Sequence, residues 1–216
     1  MTNYEKDKEK IEWRRAMTME LPQDTSAWLK KECARAKKAG DKANHKLIGH
    51  IKEEYKLEWD KNFEDFILGD CLDHPQMQSH TKSITVLNTS KPFYIESLWV
   101  NYQKKYEFNP PHNHSGIYSF VIFVNIPFDL EKEYEYFGEV GGFRHNVPRR
   151  NSIYTSNFAF INTDYSGDIR CDSLNVDKSY EGKIIMFPAK QLHQVFPFYT
   201  SDGYRITVSG NLRLLV

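Results

Sequence analysis

Three histidines stand where they could bind one metal ion. His112 and His114 are separated by one residue, just before an apolar run that begins at Ile117. Residues i and i+2 of an extended chain point to the same side, so the two imidazoles could converge on one ion. His193 follows another apolar run, which ends at Pro188, and strands that far apart in sequence can be neighbours in an antiparallel sheet. Three such ligands leave coordination positions open, as a catalytic metal requires.

The histidine pattern also has a simpler interpretation. A His-x-His pair alone is weak evidence for a metal, because two partly exposed loop histidines have the same spacing. The set would also accept zinc, nickel or manganese as readily as iron. The other five histidines show no such arrangement. They are His45, His50, His74, His80 and His145, of which the first two are predicted to lie on a helix surface.

A second candidate feature is a row of polar residues near the end of the chain. It consists of Arg205, Thr207, Ser209 and Asn211. Alternate positions of a strand share one face, so these side chains lie together, opposite the apolar residues between them. Inside a core such a row is costly without partners, and guanidinium is the side chain best suited to a bidentate grip on a carboxylate. The alternative is a solvated outer face.

The elements that must position these residues are mostly strands. Aromatic residues make up 14% of the sequence, and aromatic and β-branched residues favour strands. Strands are predicted at Ser83–Leu87, Phe93–Tyr102, Ile117–Ile126, Lys183–Phe187 and Arg205–Leu215. The third is so apolar that both of its faces should be buried. Several strands without long helices between them predict an antiparallel barrel or jelly roll.

The first 80 residues differ in composition, since lysine, glutamate and alanine dominate there. A helix is predicted over residues 26–39, with N-cap candidates just before it and a C-cap at Gly40. A second helix is predicted from Asn44 to Leu68, because its apolar residues recur at spacings of three and four. That stripe is expected to pack against a sheet. The sequence therefore predicts a mainly β chain with N-terminal helices.

The stretch from Asp129 to Asp177 is predicted to form loops and short strands that cover a site. Its charged residues indicate a polar rim, which fits a protein side chain, a small metabolite or a sugar equally well. They are Glu131, Glu133, Glu135, Arg144, Arg149 and Arg150. The substrate itself does not follow from the sequence.

Composition and charge exclude several classes of protein. The 29 basic residues equal the 29 acidic ones, so the chain has no general attraction to nucleic acid or to an anionic membrane. Cys33, Cys71 and Cys171 are odd in number and far apart, which disfavours a disulfide framework and favours a reducing compartment. The charged N-terminus does not look like a signal peptide, and no run approaches the ~18 apolar residues that span a bilayer. A cytoplasmic location is expected.

Three of these segments together resemble the iron(II)- and 2-oxoglutarate-dependent oxygenase superfamily. They are His112-Asn113-His114, Gly182-x5-Pro188-x4-His193 and Arg205-Ile206-Thr207-Val208-Ser209-Gly210-Asn211. The strongest resemblance is to short bacterial and phage-type members, in which a Trp-x-Asn strand precedes the His-x-His segment. Trp99-Val100-Asn101 matches that strand. The resemblance covers roughly residues 95–212 and leaves the first 80 residues outside.

The resemblance implies a fold and a chemistry. The fold is a double-stranded β-helix, a cupin-like jelly roll, over residues 81–216, with residues 1–80 as a helical segment packed on the barrel. Fe(II) would be the metal and 2-oxoglutarate the cosubstrate, which is decarboxylated to succinate as a substrate C–H bond is hydroxylated. The partner would be a small molecule or a peptide, with neither nucleic acid nor membrane indicated. A homodimer stays open.

The resemblance also implies metal ligands, with one departure. His112 would be the proximal histidine and His193 the distal one. His114 stands where most of the superfamily has an aspartate or glutamate. A three-histidine site is chemically reasonable for iron, although it has one negative charge fewer. Two alternatives stay open: His114 does not bind, or a carboxylate from Asp164 or Asp168 arrives from the loop.

Five residues are candidates for contacting the cosubstrate. Arg205 would pair with the far carboxylate of 2-oxoglutarate, and Ser209 would hydrogen-bond the same group, with Thr207 between them. Tyr102 matches a tyrosine that often reaches the cosubstrate in prolyl-hydroxylase-like members. Asn101 is the rival for that role.

Two other classes of protein stay open. The glycine–proline–histidine spacing that ends at His193 also resembles the second cupin motif, and the His-x-His pair resembles the first. Ser119 stands where a cupin usually has glutamate, and Pro197 where it has asparagine. A cupin would not need the row that begins at Arg205. The last class is a metal-free jelly-roll binding protein with vestigial histidines.

Overall fold

The computed structural model describes residues 16–44, 48–84, 92–140 and 154–215. Over these ranges the chain is mainly β. The strands are β1 (Met17–Glu20), β2 (Glu54–Lys56), β3 (Phe93–Gln103), β4 (Asn109–His112), β5 (Tyr118–Asn125), β6 (Phe158–Thr163), β7 (Ile169–Leu174), β8 (Lys183–Pro188), β9 (His193–Val195) and β10 (Arg205–Leu214). They form a six-stranded sheet in the order β1-β8-β5-β10-β3-β2 and a four-stranded sheet in the order β4-β9-β6-β7. All pairings in both sheets are antiparallel.

Few helices accompany the sheets in the described ranges. They are α1 (Gln23–Ala39), α2 (Lys61–Asp65), α3 (Pro75–Ser83) and α4 (Leu130–Val140), with a π-helical turn at Phe66–Cys71 and a 3₁₀ turn at Lys178–Tyr180. None of these helices is both long enough and apolar enough to cross a membrane.

Strand β5 lies in the middle of the larger sheet, and both of its faces are buried, as its apolar run predicted. Phe120 and Ile122 enter a core that the N-terminal helices cover. Val121 and Phe123 enter a second core, between the two sheets. The larger sheet therefore lies between a helical layer and the smaller sheet, and each large apolar side chain that it buries contributes about 1.5–3 kcal/mol.

Helix α1 confirms the predicted first helix, although it begins three residues earlier. It buries Leu29, Cys33 and Ala36, whose spacings of four and three place them on one face. Gly40 ends the helix in the left-handed conformation, and its amide donates to the carbonyl of Ala36 at 3.0 Å. The predicted glycine C-cap is therefore confirmed.

The predicted helix from Asn44 to Leu68 is wrong. Residues 54–56 form an edge strand paired with β3, and among the described residues of this span the α-helix begins at Lys61, after the cap of Asp60. The apolar residues fit two periods: Tyr55 and Leu57 alternate into the core at 7% and 4% exposure. Pairing the open edge of β3 satisfies its backbone groups, and that tertiary contact overrides the helical pattern.

The N-terminal segment takes part in the sheet as well as covering it. Strand β1 pairs with β8 and strand β2 pairs with β3, at the two opposite edges of the larger sheet. The expected boundary at residue 80 therefore does not coincide with a boundary between sheets, because strands from both sides of it belong to the larger sheet.

Of the five predicted strands, four are confirmed and one is not. Strands β3, β5, β8 and β10 confirm four of them, each within one residue at either end. In the fifth, Ser83 ends helix α3 instead of starting a strand, and residues 85–87 lie outside the described ranges.

The predicted covering segment contains short strands, as expected, and also a helix that was not expected. Strands β6 and β7 form its hairpin, while residues 141–153 lie outside the described ranges. Helix α4 begins after Asp129, whose carboxylate accepts from the amides of Glu131 and Lys132. The helix was not predicted because the glycines and prolines that follow Asp129 favoured loops over the whole segment.

A glycine in β10 makes one packing contact testable. A Cβ at Gly210 would collide with the ring of Phe120 and lie 2.9 Å from the carbonyl oxygen of Ser97. We expect Gly210→Ala to lower the free energy of unfolding by about 1–3 kcal/mol, since the core must shift to admit the methyl group. Gly69→Ala is the control, because a Cβ there meets no atom within 4 Å. Equal urea midpoints for the two variants would contradict this account.

Candidate metal centre and carboxylate pocket

The three predicted histidines lie together at one end of the smaller sheet. His112 ends β4 and His193 begins β9, and the two residues are register partners across that strand pair. His114 follows two residues later, held by its amide, which donates to the carbonyl of Ala189 at 2.8 Å. One ring nitrogen from each histidine lies within 4.8 Å of the other two. Such a group could hold a metal ion.

Backbone carbonyls orient two of the rings. The Nδ1 atom of His112 lies 2.7 Å from the carbonyl oxygen of Pro110, and that of His193 lies 3.0 Å from the carbonyl oxygen of Gln191. A carbonyl oxygen only accepts, so each Nδ1 is the protonated nitrogen. The lone pair is then on Nε2, the atom left for a metal, as in many metal sites where a second hydrogen bond sets the tautomer.

Burial keeps the three imidazoles neutral. Burial, together with a smaller effect of the neighbouring histidines, lowers the pKa of His114 to about 4 and that of His193 to about 3. The pKa of His112 is also lowered by burial, against the opposing effect of its bond to Pro110. The rings of Phe158 and Phe187 lie 5.5 and 4.8 Å from that of His193 and exclude water there. Neutral imidazole is the form that binds metals.

The metal-binding group includes no carboxylate among the described residues. Asp164, one of the two loop carboxylates considered, caps the exposed turn between β6 and β7. It accepts from Ser166 and pairs with Arg170 at 2.9 Å. Asp168 belongs to the same turn. The structure therefore does not bring either aspartate to the histidines.

The polar row of β10 faces the same pocket as the histidines. Arg205, Thr207 and Ser209 line that pocket together with His112 and His193. The alternate residues Ile206 and Val208 join the core on the other side of the sheet, which agrees with the predicted alternation. Asn211 lines the outer cleft next to this pocket.

Arg205 forms the floor of the pocket and is only 2% exposed. Its Nε and Nη2 atoms both donate to Gln103 Oε1, at 2.9 and 2.7 Å. Nη1 and Nη2 also donate to the carbonyl oxygens of Ser156 and Phe196, at 2.5 and 2.8 Å. These three acceptors are neutral, so a buried cation has no carboxylate within hydrogen-bonding distance among the described residues.

A second buried charge lies farther from the guanidinium. Glu133 is fully buried, and its carboxylate accepts from the amides of Tyr199 and Thr200 and from the hydroxyl of Thr155. Its negative charge partly opposes the burial that lowers the pKa of Arg205. Glu133 was predicted to belong to a polar rim and does not, whereas Glu131 and Glu135 are exposed. The three rim arginines, Arg144, Arg149 and Arg150, lie outside the described ranges.

Two hydroxyls beside Arg205 are oriented as donors. The side-chain amide of Asn101 donates to Thr207 Oγ1 at 3.1 Å and to Ser209 Oγ at 3.4 Å. Each hydroxyl thus accepts from the protein and keeps its own proton for a ligand. Two such donors and a guanidinium at the end of an apolar pocket suit a carboxylate.

Tyr102 does not reach this pocket. Neighbouring residues of a strand point to opposite faces, so Asn101 and Gln103 line the pocket while Tyr102 faces away. Its ring packs against Tyr55 and Tyr204, at 6.0 and 5.6 Å between ring centroids. The predicted role of Tyr102 in binding a cosubstrate therefore disagrees with its position, and Asn101 is the residue that the structure brings there.

Three polar residues that line the pocket or the outer cleft were not predicted from the sequence. Gln103 lies two residues after Asn101, so the alternation that places Asn101 in the pocket could have found it. Asn109 begins β4 and lines both the pocket and the outer cleft. Glu54 lines the cleft from β2, and it was missed because that segment was predicted to be helical.

Comparison with known proteins identifies a protein family that the chain matches. A family model described as "Putative 2OG-Fe(II) oxygenase" matches residues 97–211, more than half of the chain. No curated protein matches the sequence. A prolyl-4-hydroxylase from Pseudomonas putida is 14% identical, with 97% of each chain covered and a TM-score of 0.54. That likeness shows a shared fold.

Two further solved structures are less similar. A collagen prolyl hydroxylase of Paramecium Bursaria Chlorella virus-1 is 10% identical, covering 93% of this chain and 97% of that one, with a TM-score of 0.48. A prolyl hydroxylase from Trichoplax adhaerens, solved with a peptide of hypoxia inducible factor, is 9% identical. It covers 100% of this chain and 93% of that one, also with a TM-score of 0.48.

The buried histidines predict an acid-sensitive metal-free protein. The folded-state pKa values of His114 and His193, about 4 and about 3, lie below the ordinary 6.5. The unfolded chain therefore binds protons below pH 6.5 that the folded chain does not. The stability contribution is complete above pH 6.5 and is lost as the pH falls toward the folded values.

Urea unfolding of the metal-free protein at about pH 7.5 and about pH 5.5 tests this linkage. We expect the native protein to lose more stability on acidification than His114→Asn, because the variant has one neutral imidazole fewer to protonate. Other groups titrate alike in both proteins. Identical losses would contradict the expectation.

Proposed function

This chain belongs to the 2OG-Fe(II) oxygenase family, and from that premise we propose that it hydroxylates a substrate C–H bond. In the proposed reaction dioxygen supplies one oxygen atom to the substrate, and 2-oxoglutarate loses carbon dioxide to give succinate. The observation that carries the proposal is a single pocket that holds three convergent imidazoles together with Arg205 and two donor hydroxyls.

The fold proposed for the catalytic part is a double-stranded β-helix over residues 81–216. Two facing antiparallel sheets support it, since β9 of the smaller sheet and β10 of the larger one both contribute to the pocket. The fold shared with the Pseudomonas putida hydroxylase supports it as well. Residues 1–80 are then a separate N-terminal segment, whose described part extends and covers the larger sheet.

The proposed iron ligands are His112, His114 and His193. Their donor set fits a divalent metal, because the rings are neutral and two of them have Nε2 left free by a bond at Nδ1. Imidazole suits iron as well as zinc, copper and nickel. With His114 in the place of a carboxylate, the ligand set adds no negative charge.

The proposed cosubstrate site is the carboxylate pocket, with Arg205, Thr207, Ser209 and Asn101. Thr207 and Ser209 donate hydrogen bonds to the far carboxylate, Asn101 orients their hydroxyls, and Arg205 supplies the positive charge. When bound, iron and 2-oxoglutarate supply the oxidising chemistry. The chain binds, orients and excludes water, which strengthens each electrostatic contact inside the pocket.

The two alternative classes gain nothing from these observations. A cupin-type protein does not need a buried arginine with donor hydroxyls, and Ser119 donates to Asn211 instead of standing among the metal-binding group. In a metal-free binding protein, three neutral imidazoles would face one another without a shared function.

Replacing each histidine tests the metal site. We expect His112→Ala, His114→Ala and His193→Ala each to weaken Fe(II) binding by at least the roughly 10–100-fold that losing an outer-shell partner costs. An anaerobic Fe(II) titration measures it. His50→Ala is the control, because that ring stacks on Phe108 outside the group. Unchanged affinity in His114→Ala would remove His114 from the ligand set.

Replacing the hydroxyls tests the cosubstrate site. We expect the Thr207→Val, Ser209→Ala double variant to bind 2-oxoglutarate about thirtyfold more weakly, since two donors of about 1 kcal/mol each are lost. The visible charge-transfer band of the anaerobic Fe(II) complex reports binding. Ser119→Ala removes a buried hydroxyl of the same sheet that is engaged elsewhere, so we expect its affinity to be native. No band in the native protein would overturn the proposed function.

A further inference from the structure

Glu54 faces the candidate site from the edge of the larger sheet. In the antiparallel register Glu54 lies opposite Asn101, and Asn101 lies opposite Thr207. Directly paired residues of a sheet point to the same face, so the carboxyl group is on the side of the pocket. It lines an outer cleft of about 630 Å³ together with Trp99, His112 and other residues.

The carboxyl group of Glu54 is buried without a cation. Its residue is 3% exposed, and Oε2 accepts from Asn44 Nδ2 at 3.0 Å. Oε1 has no hydrogen-bond donor and no ion-pair partner within the described residues. Burial and the charge of Glu107 raise the pKa of Glu54 to about 7. A buried carboxylate with one bare oxygen is costly unless a ligand supplies the donor.

The other charged side chains that line the cleft are already paired. Lys56 Nζ lies 3.1 Å from the carboxylate of Asp41, and Glu96 lies 2.8 Å from Arg213 Nε. His114 is neutral. Glu54 is therefore the acidic side chain of this wall that lacks a partner of opposite charge among the described residues, and a cationic ligand would favour its carboxylate form.

Two amide oxygens near Glu54 are also without donors. Asn101 Oδ1 and Asn109 Oδ1 are buried and accept no hydrogen bond, and both residues line the pocket. 2-Oxoglutarate is a dianion with no donor of its own, so it cannot satisfy these acceptors. A ligand that does so must bring N–H or O–H donors.

The remaining wall of the cleft is apolar and aromatic. Trp99, Trp59 and Leu57 line it, and the two indole rings can contact an aliphatic stem or the face of a cation. Aromatic walls next to a carboxylate are the surroundings that suit the end of a lysine or arginine side chain.

We propose that the outer cleft binds the cationic end of a basic side chain of the substrate, an ammonium or a guanidinium group, with Glu54 as the residue that selects it. Asn109, which lines both the cleft and the pocket, accepts a further N–H group, and the aromatic wall contacts the stem. The inference rests on the proposed function for its statement that the bound group belongs to a substrate. The Glu54 carboxyl belongs to β2, outside the residues that the family model matches.

Three small probes test the inference on the full-length protein loaded anaerobically with Fe(II) and 2-oxoglutarate. They are the Nα-acetyl N-methylamides of lysine, arginine and norleucine, the last of which has the lysine stem without its charge. Calorimetry or NMR titration gives the affinities. We expect at least one cationic probe to bind about tenfold or more tightly than the norleucine probe, as a charge-assisted hydrogen bond allows. Comparing lysine with arginine distinguishes ammonium from guanidinium.

Glu54→Gln removes the charge and retains an acceptor for Asn44. In this variant we expect cationic and neutral probes to bind alike, while 2-oxoglutarate affinity changes less than about twofold. Glu58→Gln is the matched control, because its carboxylate is exposed and pairs with Arg35, so discrimination should stay native. Native protein that shows no preference for either cationic probe would overturn the inference, as would full discrimination in Glu54→Gln.

The two proposals fail separately. Binding of 2-oxoglutarate without cation preference overturns the selection by Glu54 and leaves the oxygenase proposal standing. Cation preference that depends on Glu54 in a protein that does not bind 2-oxoglutarate supports the basic-ligand site and overturns the oxygenase proposal. The comparison of probes on the native protein decides the matter even if the variant does not fold.

Discussion

The guanidinium of Arg205 is buried completely, and the arrangement of the pocket floor follows from that. A buried cation needs acceptors on its N–H groups, and they come from three separate places: Gln103 on β3, the carbonyl of Ser156 before β6, and the carbonyl of Phe196 after β9. The two sheets are therefore joined through one side chain. Leaving a buried donor unsatisfied costs about 1–3 kcal/mol, and more for a charged group, so these contacts hold the floor of the pocket in place once the chain is folded.

The charged groups around the pocket lie away from the histidines, which are themselves neutral. The three imidazoles are neutral, Arg205 is positive, and the buried carboxylate of Glu133 compensates the guanidinium from a distance. An anion that enters the pocket meets one cation and two hydroxyl donors, and among the described residues no negative ligand joins the histidines. The electrostatics thus favour an anionic ligand more than a carboxylate-containing metal site would.

Local alternation explains which parts of this site could be predicted. The row on β10 and the His112–His114 pair depend only on the period of two within one extended segment, and the structure brings the members of each set together. Tyr102 was assigned from the family resemblance, although the same period of two sends it to the opposite face from Asn101. The predicted helix over residues 44–68 failed because its apolar residues fit two periods, and the open edge of β3, distant in sequence, decided between them.

The residues proposed to react and the residues proposed to select the substrate lie in different parts of the chain, because β2 is at the edge of the sheet. The histidines and the β10 row lie within residues 97–211, which the family model matches, whereas one wall of the cleft comes from residues 54–56. Beyond β2 there is only a short bridge, between Tyr55 and Lys42, so changes in this segment leave the pairings of the central strands in place. Variation in this short segment is thus a route by which related chains could diverge in what they accept while inheriting the same reactive centre.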